Sequence, residues 1–150
     1  MNLESRIMEQ LKTAMKAKDE VALRTLRAIK AAILVEKTAE GAKDELSEAD
    51  EMKMLQKMAK QRRDSLDIFT TQGRADLAAK EEEELRVIEG FLPKQLSEDE
   101  LRAELQKVIA DTGATGPADM GKVMGAATKA LAGRADGKAV SAMVKTLLQS

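Results

Sequence analysis

A catalytic centre in this chain would have to be assembled from serines, carboxylates and cationic side chains, because the 150 residues include no histidine and no cysteine. Histidine is the commonest general base and metal ligand. Cysteine supplies thiolate nucleophiles, soft metal sites and disulfides. The serines are Ser5, Ser47, Ser65, Ser97, Ser141 and Ser150, and none follows a strand in a glycine-rich nucleophile turn. Ser47 and Ser97 are better explained as helix caps. No phosphate loop of the P-loop or dinucleotide kind occurs, and no acidic loop has the spacing of a calcium site. The expectation is no catalytic set, no metal and no cofactor.

Binding chemistry is better represented. Gly121 and Gly125 stand four apart in Asp119-Met120-Gly121-Lys122-Val123-Met124-Gly125. Each glycine in a helix interior costs roughly 1 kcal/mol relative to alanine, so the pair calls for a reason. The leading expectation is close approach of a neighbouring helix. The sharper one is close approach of a bulky partner such as a nucleic-acid backbone. Basic and acidic residues nearly cancel over the whole chain, 25 against 26, yet residues 117–150 carry Lys122, Lys129, Arg134, Lys138 and Lys145 against Asp119 and Asp136. Such cations bind phosphates without reading sequence. Arg134 and Lys138 flank a helix start, where free N–H groups favour anions, although Asp136 is expected to occupy those donors as an N-cap.

These residues must be positioned by helices, for no strand-like alternation occurs anywhere. Leu3, Ile7, Leu11 and Met15 mark a first helix over about 3–17. Asp19 is a plausible cap for a second, running to about Glu36 with Ala22, Leu26, Ile29 and Ile33 on one face. Residues 38–46 read as a loop. Ser47-Glu48-Ala49-Asp50 resembles a capping box and opens a third helix to about Phe69. The turn at Gly73 leads to a fourth over about Asp76 to Glu89, antiparallel to the third. Within the third helix, the stripe Met52, Leu55, Ala59, Leu66 and Phe69 is interrupted by Arg62, which is expected to pair with Glu81 or Glu84. Lys57, Lys60 and Arg63 could form an outer basic ridge, and the run Glu81 to Glu84 reads as a solvated face. Arg24, Arg27 and Lys30 mark one edge of the second helix.

Gly90-Phe91-Leu92-Pro93 breaks the pattern, since proline cannot continue a helix. Ser97-Glu98-Asp99-Glu100 is a full capping box and starts a fifth helix with Leu101, Leu105, Val108 and Ile109 inward. A sixth runs from about Ala118 to Leu131 and stops at Gly133. Asp136 begins a seventh with Val140, Met143, Val144 and Leu147 inward. The fold class is therefore all-α: a helical bundle of about four helices over 1–90, a linker over 91–96 and a three-helix unit over 97–150. With only Phe69 and Phe91 as aromatics, nine methionines must help fill the interior. No apolar run approaches the roughly 20 residues needed to span a bilayer, and Met1-Asn2-Leu3-Glu4 begins a helix pattern rather than a signal peptide. The expected location is the cytoplasm, with no membrane partner.

Four segments, in order, resemble the signatures of the GatB/YqeY family: Gln61-Arg62-Arg63-Asp64-Ser65, Phe91-Leu92-Pro93-Lys94-Gln95-Leu96-Ser97, Asp119 to Gly125, and Gly133-Arg134-Ala135-Asp136-Gly137-Lys138. The resemblance covers essentially the whole chain, as a free-standing YqeY-like protein. It implies a two-part helical fold whose last part is similar to the C-terminal tail of the B subunit of glutamine-dependent aspartyl/glutamyl-tRNA amidotransferase. It further implies tRNA binding, under a family label of carbon–nitrogen ligase activity with glutamine as amide donor. The matching residues are Gly121, Lys122, Gly125, Gly133, Arg134, Gly137 and Lys138, with Asp136 as a cap. Between the two glycine motifs, relatives often carry a Pro-Lys pair and a further lysine; here the stretch is Ala126 to Ala132, with Lys129 as its basic residue. The leading expectation is an accessory protein that contacts tRNA beside an amidotransferase or other tRNA enzyme, with no DNA partner. The alternatives are a protein–protein adaptor using the Gly121/Gly125 face, and an enzyme acting alone on an amide.

Overall fold

Apolar residues at three- and four-residue spacing start the first helix, α1 (Leu3–Ala17), with Leu3, Ile7 and Ala14 buried. The Asn2 side chain accepts from the Ser5 N–H at 2.9 Å and caps it. These helices belong to a computed structural model that describes residues 2–39, 41 and 44–149. Met1, Ser150 and part of the loop expected over 38–46 (residues 40, 42 and 43) lie outside the described residues. Lys18 ends α1 in the left-handed region at φ 56°. The Ala22 N–H then donates to the Asp19 carboxylate at 3.0 Å, so α2 (Glu20–Ala39) folds back almost at once.

Ser47 accepts from the Asp50 N–H at 3.1 Å and opens α3 (Glu48–Thr71). Gly73, at φ 72°, makes the turn into α4 (Ala75–Glu89). The α3 core stripe differs from the expected one. Met54, Leu55, Met58 and Ala59 are buried, whereas Met52, Leu66 and Phe69 are only half-buried. Four helices share this first core, and Phe91 closes it with the Arg6 guanidinium 5.1 Å above its ring.

The run Glu81 to Glu84 is not uniformly solvated. Glu84 is buried. It pairs with Arg24 at 2.8 Å and with Arg62 at 3.1 Å, while Arg62 lies 3.7 Å from Glu81. The possible ridge of α3 is partly neutralised, since Lys60 pairs with Asp64 at 2.8 Å and Arg63 with Glu89 at 3.7 Å.

The chain divides into two compact units between Leu92 and Pro93. In the second, Ser97 and Glu100 form a complete capping box, with bonds of 3.2 and 3.1 Å, and open α5 (Glu98–Thr112). A 3₁₀ turn over Pro117–Asp119 precedes α6 (Met120–Ala130), so the sixth helix starts later than its pattern suggests. The last helix, α7 (Gly137–Leu148), buries Val140, Val144 and Leu148. Met143 and Leu147 are half-buried at the rim of this face. Leu105, Val123, Ala127 and Val144 are fully enclosed in the second core. The protein is all-α: seven α-helices and no strand occur among the described residues. Among the described residues, no helix is long and apolar enough to cross a membrane.

Candidate nucleic-acid interface

The glycines of α6 do not face another helix. Val123 and Ala127 bury the opposite side of α6, while Gly121, Lys122, Gly125 and Lys129 are all exposed. A Cβ added at Gly121 or Gly125 would meet nothing within 4 Å. This overturns the expectation of close helix packing. The helical period places all four exposed residues on one outward strip, with Lys122, Gly125 and Lys129 at three- and four-residue steps along it.

The turn that follows is held from outside. Gly133 is buried at φ 76°, a conformation that other residues adopt only at a cost of about 1–2 kcal/mol. The Gln95 side-chain amide donates to the Gly133 carbonyl at 2.7 Å and to the Pro93 carbonyl at 2.9 Å. The Leu96 N–H donates to the Arg134 carbonyl at 2.9 Å. The segment after Pro93 therefore staples the Gly133–Asp136 turn and fixes where Arg134 begins. Spacing alone carried no sign of this role for Gln95, because two segments about forty residues apart meet only in the folded unit.

Asp136 stands at the N-cap of α7 with an extended backbone, but its side chain makes no capping hydrogen bond. That corrects the expected capping role. Position selects an acidic residue here, yet the first N–H groups of α7 are left uncapped by it. Asp119 likewise fails to cap α6. It accepts instead from the Thr115 N–H at 2.9 Å. That bond, with help from the Gly116 N–H and from Lys122, holds its carboxyl below the ordinary aspartate value.

Lys94 is a basic residue that the candidate set left out. The bonds from Ser97 chiefly hold the Glu100 carboxyl below its ordinary value, and attraction to Lys94 and Arg134 adds to them. Both cations thus act on the start of α5. Gly137 and Lys138 are exposed in the first turn of α7, and Arg134 is half-buried. Lys122, Lys129, Arg134 and Lys138 form no salt bridge among the described residues. Arg62, Glu81 and Glu84 lie in the first unit and join its helices. No group of three acidic residues that could hold a metal ion occurs among the described residues.

Fold and surface together define an all-helical protein of two units, the second carrying an open glycine strip on α6 and four cations that form no salt bridge among the described residues. The chain belongs to the YqeY-like family, whose model, described as Yqey-like protein, matches residues 4–148. It is also similar to a protein of Pyrenophora tritici-repentis (strain Pt-1C-BFP) named altered inheritance of mitochondria protein 41, mitochondrial. The two are 31% identical over 146 residues, which cover 95% of this chain and 79% of the relative.

Proposed function

We propose that the second unit binds the phosphate backbone of tRNA as an accessory module, recognising shape more than bases. The observation that carries this reading is the open Gly121/Gly125 strip. Gly125 in the interior of α6 costs roughly 1 kcal/mol relative to alanine, Gly121 in its first turn costs less, and neither gains packing inside the unit. A strip without side chains lets a sugar–phosphate backbone come close to the helix. Lys122 and Lys129 border it, and Arg134 and Lys138 extend the cationic set to the uncapped start of α7, whose free N–H groups suit an anion.

Family membership supports the reading through the amidotransferase-tail resemblance, in which the tail holds tRNA and amide transfer occurs on other domains. No catalytic role is assigned to this chain. Its protein partner on this reading is an amidotransferase or another tRNA enzyme, and its compartment is the cytoplasm. The relative's name carries the word mitochondrial, and an organelle with its own translation would supply the same ligand.

The test is a titration of bulk tRNA at two salt concentrations, with native protein and with an Arg134→Glu/Lys138→Glu variant. Four phosphate contacts give a slope of log affinity against log salt of about −3 to −4. Reversing two cations is expected to reduce that slope by about 2 and to abolish binding near physiological salt. No binding by the native protein at low salt would sink the tRNA reading and leave the glycine strip as a helix-docking face of an adaptor.

A further inference from the structure

Four of the five large hydrophobic side chains exposed among the described residues lie on the α1–α2 hairpin: Met8, Met15, Leu34 and Val35, with exposures of 40%, 60%, 64% and 63%. Their arrangement can be read from the helical period. Glu4, Met8, Lys12 and Met15 follow one another at steps of four, four and three, so they form one stripe along α1. Arg27, Lys30, Leu34 and Lys37 step by three, four and three along α2. The stripes meet at one end through the Lys37–Glu4 salt bridge, 3.1 Å long. At the other end the tight turn at Lys18 and Asp19 holds the helices together. Two stripes bridged in this way run side by side along the seam between α1 and α2 and define a groove there.

Apolar and cationic side chains are interspersed along both stripes. Met8, Met15 and Leu34 supply the apolar part, while Val35 points to another side of α2. Lys12, Arg27 and Lys30 are exposed and form no salt bridge among the described residues. Glu4 is the one acidic residue of the two stripes, and Lys37 neutralises it. We infer that this groove receives an acidic amphipathic helix of a partner protein, laid along the hairpin as a third helix. Apolar residues of that helix would cover the methionines and Leu34, and its carboxylates would meet Lys12, Arg27 and Lys30. Methionine suits such a surface, being unbranched and able to repack. A membrane surface fits less well, because the face has no aromatic residue and only a narrow apolar band. The site lies in the first unit and shares no residue with the proposed tRNA surface, so either can fail alone.

The probe is a synthetic acidic peptide of about 18 residues, roughly 27 Å as a helix, with leucines at helical spacing flanked by glutamates. A scrambled peptide of the same composition is the control. Fluorescence anisotropy with the full chain should show saturable binding of the patterned peptide only. Lys12→Glu/Lys30→Glu should weaken it about tenfold or more with unchanged circular dichroism. A patterned peptide carrying lysines for glutamates should bind that variant better than the native chain. Equal binding of the scrambled peptide, native-strength binding by the variant, or no saturation at millimolar peptide would overturn the inference. So would uptake by phosphatidylglycerol vesicles without peptide binding, or a dimer in sedimentation that Leu34→Glu abolishes, which would fill the groove with a second copy.

Discussion

Glu84 joins three helices through one carboxylate, because Arg24 of α2 reaches its Oε1 and Arg62 of α3 its Oε2. The arrangement is not ideal in hydrogen bonding. The buried Arg62 Nε is within ion-pair distance of Glu84 but has no hydrogen-bond partner. A network of this kind specifies register more than it stabilises. Removing only the carboxylate should still be damaging, since Arg62 would keep its charge in a half-buried position. Glu84→Leu is expected to destabilise the first unit by about 2 kcal/mol, below the figure for a fully buried pair. Arg24, whose side chain is 39% exposed, can turn to water and soften the loss. An Arg62→Met/Glu84→Leu double variant should recover most of it, because the two effects are coupled. Urea denaturation of the three proteins reads this directly, and a neutral single variant would remove the network from the account of how α2, α3 and α4 are held.

At the scale of the element, α6 separates stability from binding. Its glycines sit in ordinary helix with open space around them, so alanine fits at both positions. Gly121→Ala/Gly125→Ala is expected to stabilise the second unit by about 1–2 kcal/mol in thermal unfolding, most of it from the interior position 125, while weakening whatever partner approaches the strip. A variant that unfolds more easily would mean that the glycines serve the fold. The helices themselves were largely legible in the sequence. Ser97 with Glu100, Ser47 before Asp50, Asp19 and Gly73 each announce a start or a turn through local chemistry, and local chemistry is what sequence retains. What could not be read was which side of α6 faces inward. Period 3.6 tells which residues share a face, and Gly121 with Gly125 looks like a packing notch as readily as an open one. Val123 and Ala127 decide the matter only once α5 and α7 are placed. The Asp136 cap failed for a related reason, because residue type favours a cap but the side-chain rotamer decides whether the bond forms. The Gln95 bridge to Gly133 depends wholly on tertiary structure and left no local trace.

At the scale of the molecule, the division after Leu92 gives each half its own core, one around Ile7, Ile29 and Ile88 and the other around Leu105, Val123 and Val144. Among the described residues, no buried residue belongs to both. The two proposed binding surfaces fall one to each half, so their stabilities can be tuned apart. A single unfolding free energy is not well defined for such a chain unless the halves unfold together. Leu105 is fully enclosed in the second core, and Leu105→Ala is expected to cost that unit about 2–5 kcal/mol through lost burial and the cavity left behind. Hydrogen exchange should then quicken over α5, α6 and α7 while the slowest amides of α2, α3 and α4 keep their protection. Quickening of equal size over both halves would show that they open as one cooperative unit. Confinement to the second half would mean that the glycine strip and its cations ride on a separately stabilised platform, whose loss removes one surface and leaves the hairpin groove intact.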